Sequence, residues 1–206
     1  MSDVTARGEG ARVPRVRMQP DERREQLIDI GVRMLATRPL DELSIDALAD
    51  EAGISRGLLY HYFANKTEFH VAVVKKLAED LYLITAPTSD DDPLVQLRLS
   101  LDAYASYVEA NLDTYLALVR AVSSGNPEML QLYRDARAAL IERLFDRMPD
   151  LDVHGVVDTP AARLVAHSWA VFVEDLVLAW IADDSGLSRD GLLDKLTGVL
   201  ALLLAT

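Results

Sequence analysis

The sequence predicts an all-α protein of about nine helices, because apolar residues recur at helical spacing along most of the chain. Alternating strand patterns do not compete with this period. Clusters of Gly, Pro, Ser and Asp interrupt the period at residues 86–93, 123–127 and 183–186, and they predict loops. We therefore expect several helices joined by short connections.

Charge is divided unequally along the chain. Residues 1–76 contain 12 of the 21 Lys and Arg residues and 12 of the 33 Asp and Glu residues, so the net charge of −12 belongs entirely to residues 77–206. An acidic protein is an unusual partner for nucleic acid, but a neutral first part removes that objection. Two modules with different partners would explain the division.

The N-terminal region begins without regular structure. Residues 1–19 mix Gly, Arg and Pro without a helical period, which predicts a disordered arm. From Pro20 the spacing of apolar residues predicts a helix, and this helix should end where Arg38 precedes Pro39.

Two short helices and one long helix follow. The hydroxyl of Ser44 can cap a helix that runs to Ala52, and Gly53 can adopt the left-handed turn that ends it. Ser55 can cap a second short helix that extends to Phe63. The long helix begins with a capping box at residues 65–68 and ends near residue 84, so it is roughly 30 Å long and can join two domains.

Five further helices are predicted in the second part of the chain. They span residues 94–111, 112–123, 127–148, 160–181 and 189–205. The last two are apolar on almost every side, so other helices must cover them from several directions.

The composition excludes several classes of protein. Cysteine is absent, which removes disulfides, thiolate nucleophiles and zinc-thiolate sites. The four histidines show no metal-ligand spacing, and no phosphate loop or nucleophile elbow occurs, so we expect no catalytic site, metal or cofactor. No apolar run reaches the roughly 20 residues that cross a bilayer, and no secretory signal is recognisable, so we expect a cytoplasmic protein.

Residues 44–63 have the spacing of a helix-turn-helix. Ala49 is small at the point where the two helices would cross, and Gly53 makes the turn between them. The wedge between the helices is filled by Leu48, Ile54 and Leu59. The second helix is thereby held outward, and it presents Arg56, Gly57, Tyr60 and His61, which are groups suited to a DNA groove.

This segment resembles the TetR (tetracycline-repressor-like) family of transcriptional regulators. The family signature is present as Ala49, Ala52-Gly53-Ile54-Ser55, Gly57, Leu59-Tyr60-His61-Tyr62-Phe63 and Lys66, and the close match covers residues 21–76. One departure is that the family often has His directly before Phe, whereas this chain has Tyr62 there and His61 one place earlier. A helix pair that serves only packing is the alternative interpretation of the segment.

The resemblance implies a homodimeric repressor that a small-molecule ligand releases from an inverted-repeat operator in double-stranded DNA. The DNA-facing residues that it implies are Ser44, Ser55, Arg56, Gly57, Tyr60, His61, Tyr62 and Lys66. Helices 160–181 and 189–205 are then expected to form a four-helix interface with a second subunit, although an internal core is the alternative for these helices.

A ligand pocket is expected among the middle helices. Aromatic walls would come from the tyrosines at positions 82, 104, 107, 115 and 133 together with Trp169 and Phe172, and Met129 would add an adaptable surface. His167 and Glu174 lie on one face of an apolar helix, where they either orient a polar group of the ligand or pair with surface charges. The predicted ligand-binding residues are Tyr104, Tyr107, Tyr133, His167, Trp169, Phe172 and Glu174.

These inferences divide the chain into four parts. They are a disordered arm at 1–19, a helix-turn-helix domain at 20–66, a connecting helix at 67–84, and a ligand-binding and dimerisation domain at 85–206. The alternative function is that of a helical small-molecule or lipid carrier, which would not bind DNA. The sequence leaves open the ligand, the operator and whether the arm contacts DNA.

Overall fold

The structure is a computed structural model that describes residues 19–87, 92–123, 126–146, 158–183 and 185–204. Within these ranges the helices are α1 Pro20–Leu35, α2 Ile45–Ala52, α3 Arg56–Leu59, α4 Lys66–Ile84, α5 Pro93–Ala110, α6 Leu112–Ser123, α7 Pro127–Asp146, α8 Pro160–Ala182 and α9 Arg189–Leu204, and a 3-10 turn spans Leu40–Glu42. The predicted all-α fold is confirmed. The predicted arm lies outside the described residues except for Gln19.

Helix α1 ends earlier than the Arg38–Pro39 step predicted. Its last helical residue is Leu35, and the chain then closes a turn in which the N–H groups of Thr37 and Arg38 both donate to the Met34 carbonyl, at 3.1 and 3.0 Å. Sharing one carbonyl satisfies two donors without a further helical turn.

The turn between α2 and α3 follows the predicted capping pattern. The Ser44 hydroxyl oxygen accepts the Ala47 N–H at 3.0 Å, and Gly53 adopts a left-handed conformation with φ of 64°. Helix α3 is shorter than predicted, because it ends at Leu59 instead of Phe63. The Leu59 carbonyl accepts the N–H groups of both residues 62 and 63, and this closes a turn that directs Phe63 into the core.

The first core lies where α1, α2, α3 and the N-terminal half of α4 meet. Its fully buried side chains include Leu27, Leu43, Leu48, Leu59, Phe63, Phe69 and Val73. Helix α6 and the start of α7 complete the same cluster with Leu118, Val122 and Met129. The first helices therefore pack on residues from the second half of the chain.

The second core is built from α5, α7, α8 and α9. Its buried residues include Leu101, Val108, Phe145, Ala166, Val177, Leu192 and Leu196. At the edge of this core, ion pairs connect α9 to α5, because Arg189 contacts Asp102 at 2.6 Å and Glu109 at 3.1 Å.

Helix α8 is long and apolar enough to cross a membrane by length and composition alone, with a mean hydropathy of 1.6 over its most apolar stretch. The sequence predicted no membrane-crossing segment, because Glu174 interrupts the apolar residues of this helix. The helix packs in the second core through Trp169, whose indole N–H donates to the Leu196 carbonyl of α9 at 2.9 Å. A core helix of a soluble protein meets the same criteria.

Gly31 allows α1 and α4 to approach each other closely. A Cβ atom at this position would lie 2.7 Å from Cζ of Phe69 and 2.7 Å from Cγ2 of Val73. Both side chains are fully buried, so neither can move aside without disturbing the first core. The position requires a residue without a side chain.

Replacing Gly31 with Ala should destabilise the protein by about 1–3 kcal/mol, because the added methyl group overpacks the interface between α1 and α4. Chemical denaturation monitored by circular dichroism measures this change. Gly57→Ala is the matched control, because no atom lies within 4 Å of a Cβ there. A Gly31→Ala protein as stable as the control would contradict the packing described.

Candidate functional sites

Helix α3 presents an exposed polar surface. Arg56, Gly57, Tyr60 and His61 are all exposed, with 56% of the Tyr60 surface accessible. Leu59, on the opposite side, is fully buried in the first core. The predicted outward direction of these four residues agrees with the structure.

Arg56 is held in place by an acidic neighbour. Its Nε atom lies 2.5 Å from a carboxylate oxygen of Asp46 in α2, and its side chain remains 68% exposed. An ion pair this exposed contributes little to stability. It orients the guanidinium on the surface of α3 while leaving the other nitrogens accessible to a partner.

The two serines that cap α2 and α3 each have a hydroxyl proton that a ligand could accept. The hydroxyl oxygens of Ser44 and Ser55 accept the N–H groups of Ala47 and Leu58, at 3.0 and 3.3 Å. Accepting these bonds leaves each hydroxyl proton free to donate, since no acceptor for it is found among the described residues. Ser55 is exposed, and Ser44 is half-buried.

The remaining predicted DNA-facing residues are Tyr62 and Lys66. Tyr62 is half-buried and packs against the first core, so its ring contributes to packing as well as to the surface. The exposed Lys66 donates to the Asp41 carbonyl in the 3-10 turn. Its ammonium is therefore fixed at the start of α4, beside the helix-turn-helix.

His70 is a buried residue that the sequence analysis did not single out. Its Nε2 atom lies 2.7 Å from the Leu43 carbonyl, which implies that this nitrogen carries the proton and donates. Burial lowers the pKa of His70, against a smaller opposing effect of that hydrogen bond. The contact ties α4 to the segment that precedes α2 and so positions the helix-turn-helix.

A cavity of about 210 Å³ lies among α4 to α9. The predicted ligand-binding residues that line it are Tyr104, Tyr107, Tyr133, Trp169 and Glu174. Its apolar wall includes Val74, Leu77, Leu81, Leu97, Leu140, Val173 and Leu204, and Tyr115 completes the aromatic part. A largely apolar cavity with a few polar groups is typical of a small-molecule site.

Two of the predicted ligand-binding residues do not reach the cavity. Phe172 is 41% exposed and His167 is half-buried, and neither belongs to the lining. Phe172 lies off the stripe of residues 169, 170, 173 and 174 that faces inward, and the apolar residues on both sides of α8 hid this division in the sequence. His167 is on the same face as Glu174 but lies nearer the N-terminus of α8, before the first residue of that stripe.

Two further candidates for the pocket wall, the adaptable Met129 and the aromatic Tyr82, lie elsewhere as well. Met129 is buried in the first core. Tyr82 is 39% exposed at the end of α4, and neither residue lines the cavity.

One end of the cavity carries a cluster of polar groups. The hydroxyls of Tyr104 and Tyr115 are 2.9 Å apart and hydrogen-bonded. Arg137 of α7 donates to Glu174 of α8 at 2.6 Å, and their side chains are only 21% and 15% exposed. The sequence analysis missed Arg137, because the pairing of α7 with α8 is a long-range contact that no local pattern reveals.

Tyr133 completes this polar cluster. Its hydroxyl lies beside Glu174 and Tyr115, but it makes no hydrogen bond of acceptable geometry with the described residues. Burial, followed by the negative charge of Glu174, raises the pKa of Tyr133. The hydroxyl therefore stays protonated and able to donate.

Arg143 of α7 joins the cavity to the end of α4. Its guanidinium donates to the Tyr82 carbonyl at 2.5 Å, the Thr85 carbonyl at 2.8 Å and the Thr85 hydroxyl at 2.7 Å. It also stacks over the Tyr82 ring, with its Cζ 4.3 Å from the ring centroid. These bonds satisfy carbonyls at the C-terminus of α4, where a cation is favourable.

Metal chemistry has no support in the part of the chain that the structure describes. No group of three or more His, Cys, Asp and Glu side chains that could hold a metal ion occurs there.

Two family models match the chain. One, described as bacterial regulatory proteins of the tetR family, matches residues 27–73, which include α2, α3 and their turn. The other, described as the tetracyclin repressor-like C-terminal domain, matches residues 93–202, more than half of the chain. The chain belongs to the TetR family. The exposed α3 lies within the first match, and most of the residues that line the cavity lie within the second.

Relatives of this TetR-family protein are transcriptional regulators. The chain is 25% identical over 186 residues to the transcriptional activator FasR of Mycolicibacterium smegmatis, covering 88% of this chain and 80% of FasR. It is 28% identical over 162 residues to the regulator BetI of Stenotrophomonas maltophilia, covering 76% of this chain and 80% of BetI.

A solved structure shows the same architecture. A TetR-family transcriptional regulator from Streptomyces coelicolor superposes with a TM-score of 0.73 at 28% identity, covering 90% of this chain and 82% of that one. The TetR-family chain is accordingly a helix-turn-helix, DNA-binding transcriptional regulator, and its relatives are not enzymes.

The buried His70 should make stability depend on pH. The unfolded protein takes up a proton near the ordinary pKa of 6.5, whereas the folded protein, in which that pKa is lowered, resists it. The free energy of unfolding should therefore fall as pH decreases below about 6.5, by up to about 1.4 kcal/mol per pH unit. Urea denaturation at a series of pH values measures the slope.

His70→Gln should flatten this dependence, because the amide does not titrate. The exposed His61→Gln is the matched control and should keep the slope of the unsubstituted protein. An unchanged slope in His70→Gln would assign the pH dependence to other groups.

Proposed function

We propose that the protein is a cytoplasmic homodimeric regulator that binds an inverted-repeat operator and loses affinity for it when a small molecule fills the cavity. The observation that carries this proposal is the course of α4. This helix begins at Lys66 beside the exposed α3, and its C-terminal half lines the cavity through Val74, Leu77, Leu81 and Thr85. One helix therefore runs from the end of the helix-turn-helix to the cavity.

The surface of α3 supports DNA contact. Arg56 can donate to guanine in the major groove or to a phosphate, and the Tyr60 hydroxyl can donate to a phosphate. Ser44, Ser55 and Lys66 surround this surface with further donors. Asp46 is the one acidic contact of Arg56 among the described residues, and a DNA phosphate would compete with it for the guanidinium.

Exposed apolar residues on α8 and α9 support a dimer. Leu164, Val171 and Phe172 lie on the face of α8 that points away from the cavity, and Leu164 is 68% exposed. On α9, Leu202 is 74% exposed and Leu203 is 43% exposed. A second copy of the chain can bury these residues in a four-helix interface and place two α3 helices for an inverted repeat.

Coupling between the sites would pass through α4. Arg143 anchors its C-terminus to α7, which also carries the cavity residues Tyr133 and Arg137. A ligand that separates α7 from α4 would shift α4 and, through α1 and α2, the α3 helix that packs on α2. The spacing of the two α3 helices in the dimer would then no longer match the operator.

The direction of regulation stays a prediction. Repression follows when the operator overlaps the promoter, whereas FasR is described as an activator. A reporter gene placed behind the operator distinguishes the two outcomes, since deletion of the regulator raises expression under repression and lowers it under activation.

Arg56→Ala and Tyr60→Ala should each weaken operator binding. Loss of a good base contact by Arg56 corresponds to about 1–3 kcal/mol, or about 5- to 150-fold in affinity. The measurement is a gel shift with a duplex selected from a random library by the unsubstituted protein. Arg120→Ala, in an exposed position of α6, is the matched control. Equal affinity in all three variants would remove α3 from the interface, and failure to select any duplex would favour the alternative of a carrier.

Leu164→Glu combined with Leu202→Glu should convert the dimer into a monomer, because two charges per subunit would be buried without partners. Analytical ultracentrifugation measures the mass, and operator affinity should fall with it. Leu83→Glu is the matched control, because Leu83 is as exposed as Leu164 at 68% but lies on α4. A doubly substituted protein that remains dimeric would place the interface elsewhere.

A further inference from the structure

The polar cluster of the cavity restricts the chemistry of the ligand. The walls around it are apolar, so most of the ligand must be apolar as well. The volume of about 210 Å³ is smaller than the roughly 300–1,000 Å³ of sites for drug-sized molecules. The occupant is therefore compact, and the polar side chains of the lining must recognise its polar part. One of them, Arg143, already donates to the carbonyls of residues 82 and 85.

The charged groups of the polar cluster already neutralise each other. Arg137 and Glu174 form a short, mostly buried ion pair at 2.6 Å. A ligand carboxylate at Arg137 would lie beside the Glu174 carboxylate, and a ligand ammonium at Glu174 would lie beside the Arg137 guanidinium. Two like charges repel each other strongly in a mostly buried site, so either ligand charge is unfavourable there.

The uncharged groups of the cluster, in contrast, are available. The Tyr133 hydroxyl is buried without a hydrogen bond to the described residues. In the Tyr104 and Tyr115 pair one hydroxyl donates to the other, so a second proton remains for a ligand. A buried hydroxyl without a partner is unfavourable, and a ligand atom that accepts or donates one hydrogen bond would relieve it.

From this arrangement we infer that the cavity selects a compact apolar molecule with one uncharged hydrogen-bonding group, such as an alcohol, ketone or ester, over a free carboxylic acid or an amine. The inference rests on the proposed ligand role of the cavity. Tyr133 would contact the polar group of the ligand, and the ion pair between Arg137 and Glu174 would exclude charged competitors. Specificity would then come from a charge pair that the ligand never replaces.

Calorimetric titration of the full-length protein without DNA tests this inference. The probes are decanol, decanoic acid and decylamine at pH 7.5, which share a chain and differ in the charge of the polar group. Decanol should bind at least tenfold more tightly than either charged probe, with one molecule per subunit. Decanoic acid or decylamine binding as tightly as decanol would overturn the inference, and so would the absence of binding by all three.

Glu174→Gln gives the sharpest comparison. The substitution keeps the shape of the side chain and releases the Arg137 charge, so the preference should shift at least tenfold toward decanoic acid. An unchanged ratio of the two affinities would show that the ion pair does not set the specificity. Circular dichroism shows whether the variant is folded. If it is not, the comparison of Tyr133→Phe with its control still tests the inference.

Tyr133→Phe should weaken decanol binding by about 2- to 12-fold, which is the range of a single neutral hydrogen bond. Tyr82→Phe is the matched control, since Tyr82 lies outside the cavity lining and its ring is retained. Equal losses in both variants, or none in either, would contradict the role of Tyr133. A gel shift on the same proteins separates this result from the proposed function, because failed probe binding with intact operator binding would refute only the ligand class.

Discussion

The packing of α4 against both halves of the molecule is the constraint on which the other features depend. At its N-terminal end, Phe69 and Val73 fill the space that Gly31 leaves open in α1. At its C-terminal end, Arg143 binds the carbonyls of residues 82 and 85. Between these ends the same helix lines the cavity. The close packing at Gly31 leaves the N-terminal end of α4 little room to move independently of α1.

The two ion pairs near the functional sites differ because their environments differ. The pair of Arg56 and Asp46 is exposed, so water and salt weaken it and a DNA phosphate or base can replace the carboxylate at little cost. The pair of Arg137 and Glu174 is mostly buried, and removing either partner leaves a charge that water cannot reach easily. The first pair therefore leaves a guanidinium accessible at the surface, whereas the second, under the proposed specificity, would exclude charged molecules from the cavity.

Helix α8 illustrates how one apolar sequence serves two purposes. The face that carries Trp169 and Val173 packs inward and lines the cavity. The face that carries Leu164 and Phe172 is exposed, although it is equally apolar. The second subunit of the proposed dimer would bury this exposed face, since a contiguous exposed apolar surface is typical of an interaction site.

The sequence by itself determined the helices and the helix-turn-helix, because these depend on short-range interactions. Ser44, Gly53 and Asn65 act through hydrogen bonds to residues three or four positions away, and a local pattern reveals such contacts. Only the tertiary structure decided that α3 ends at Leu59, that Phe172 and His167 miss the cavity, and that Arg137 neutralises Glu174. Those features depend on which helices become neighbours, and contacts between residues far apart in the chain leave no periodic signal in it.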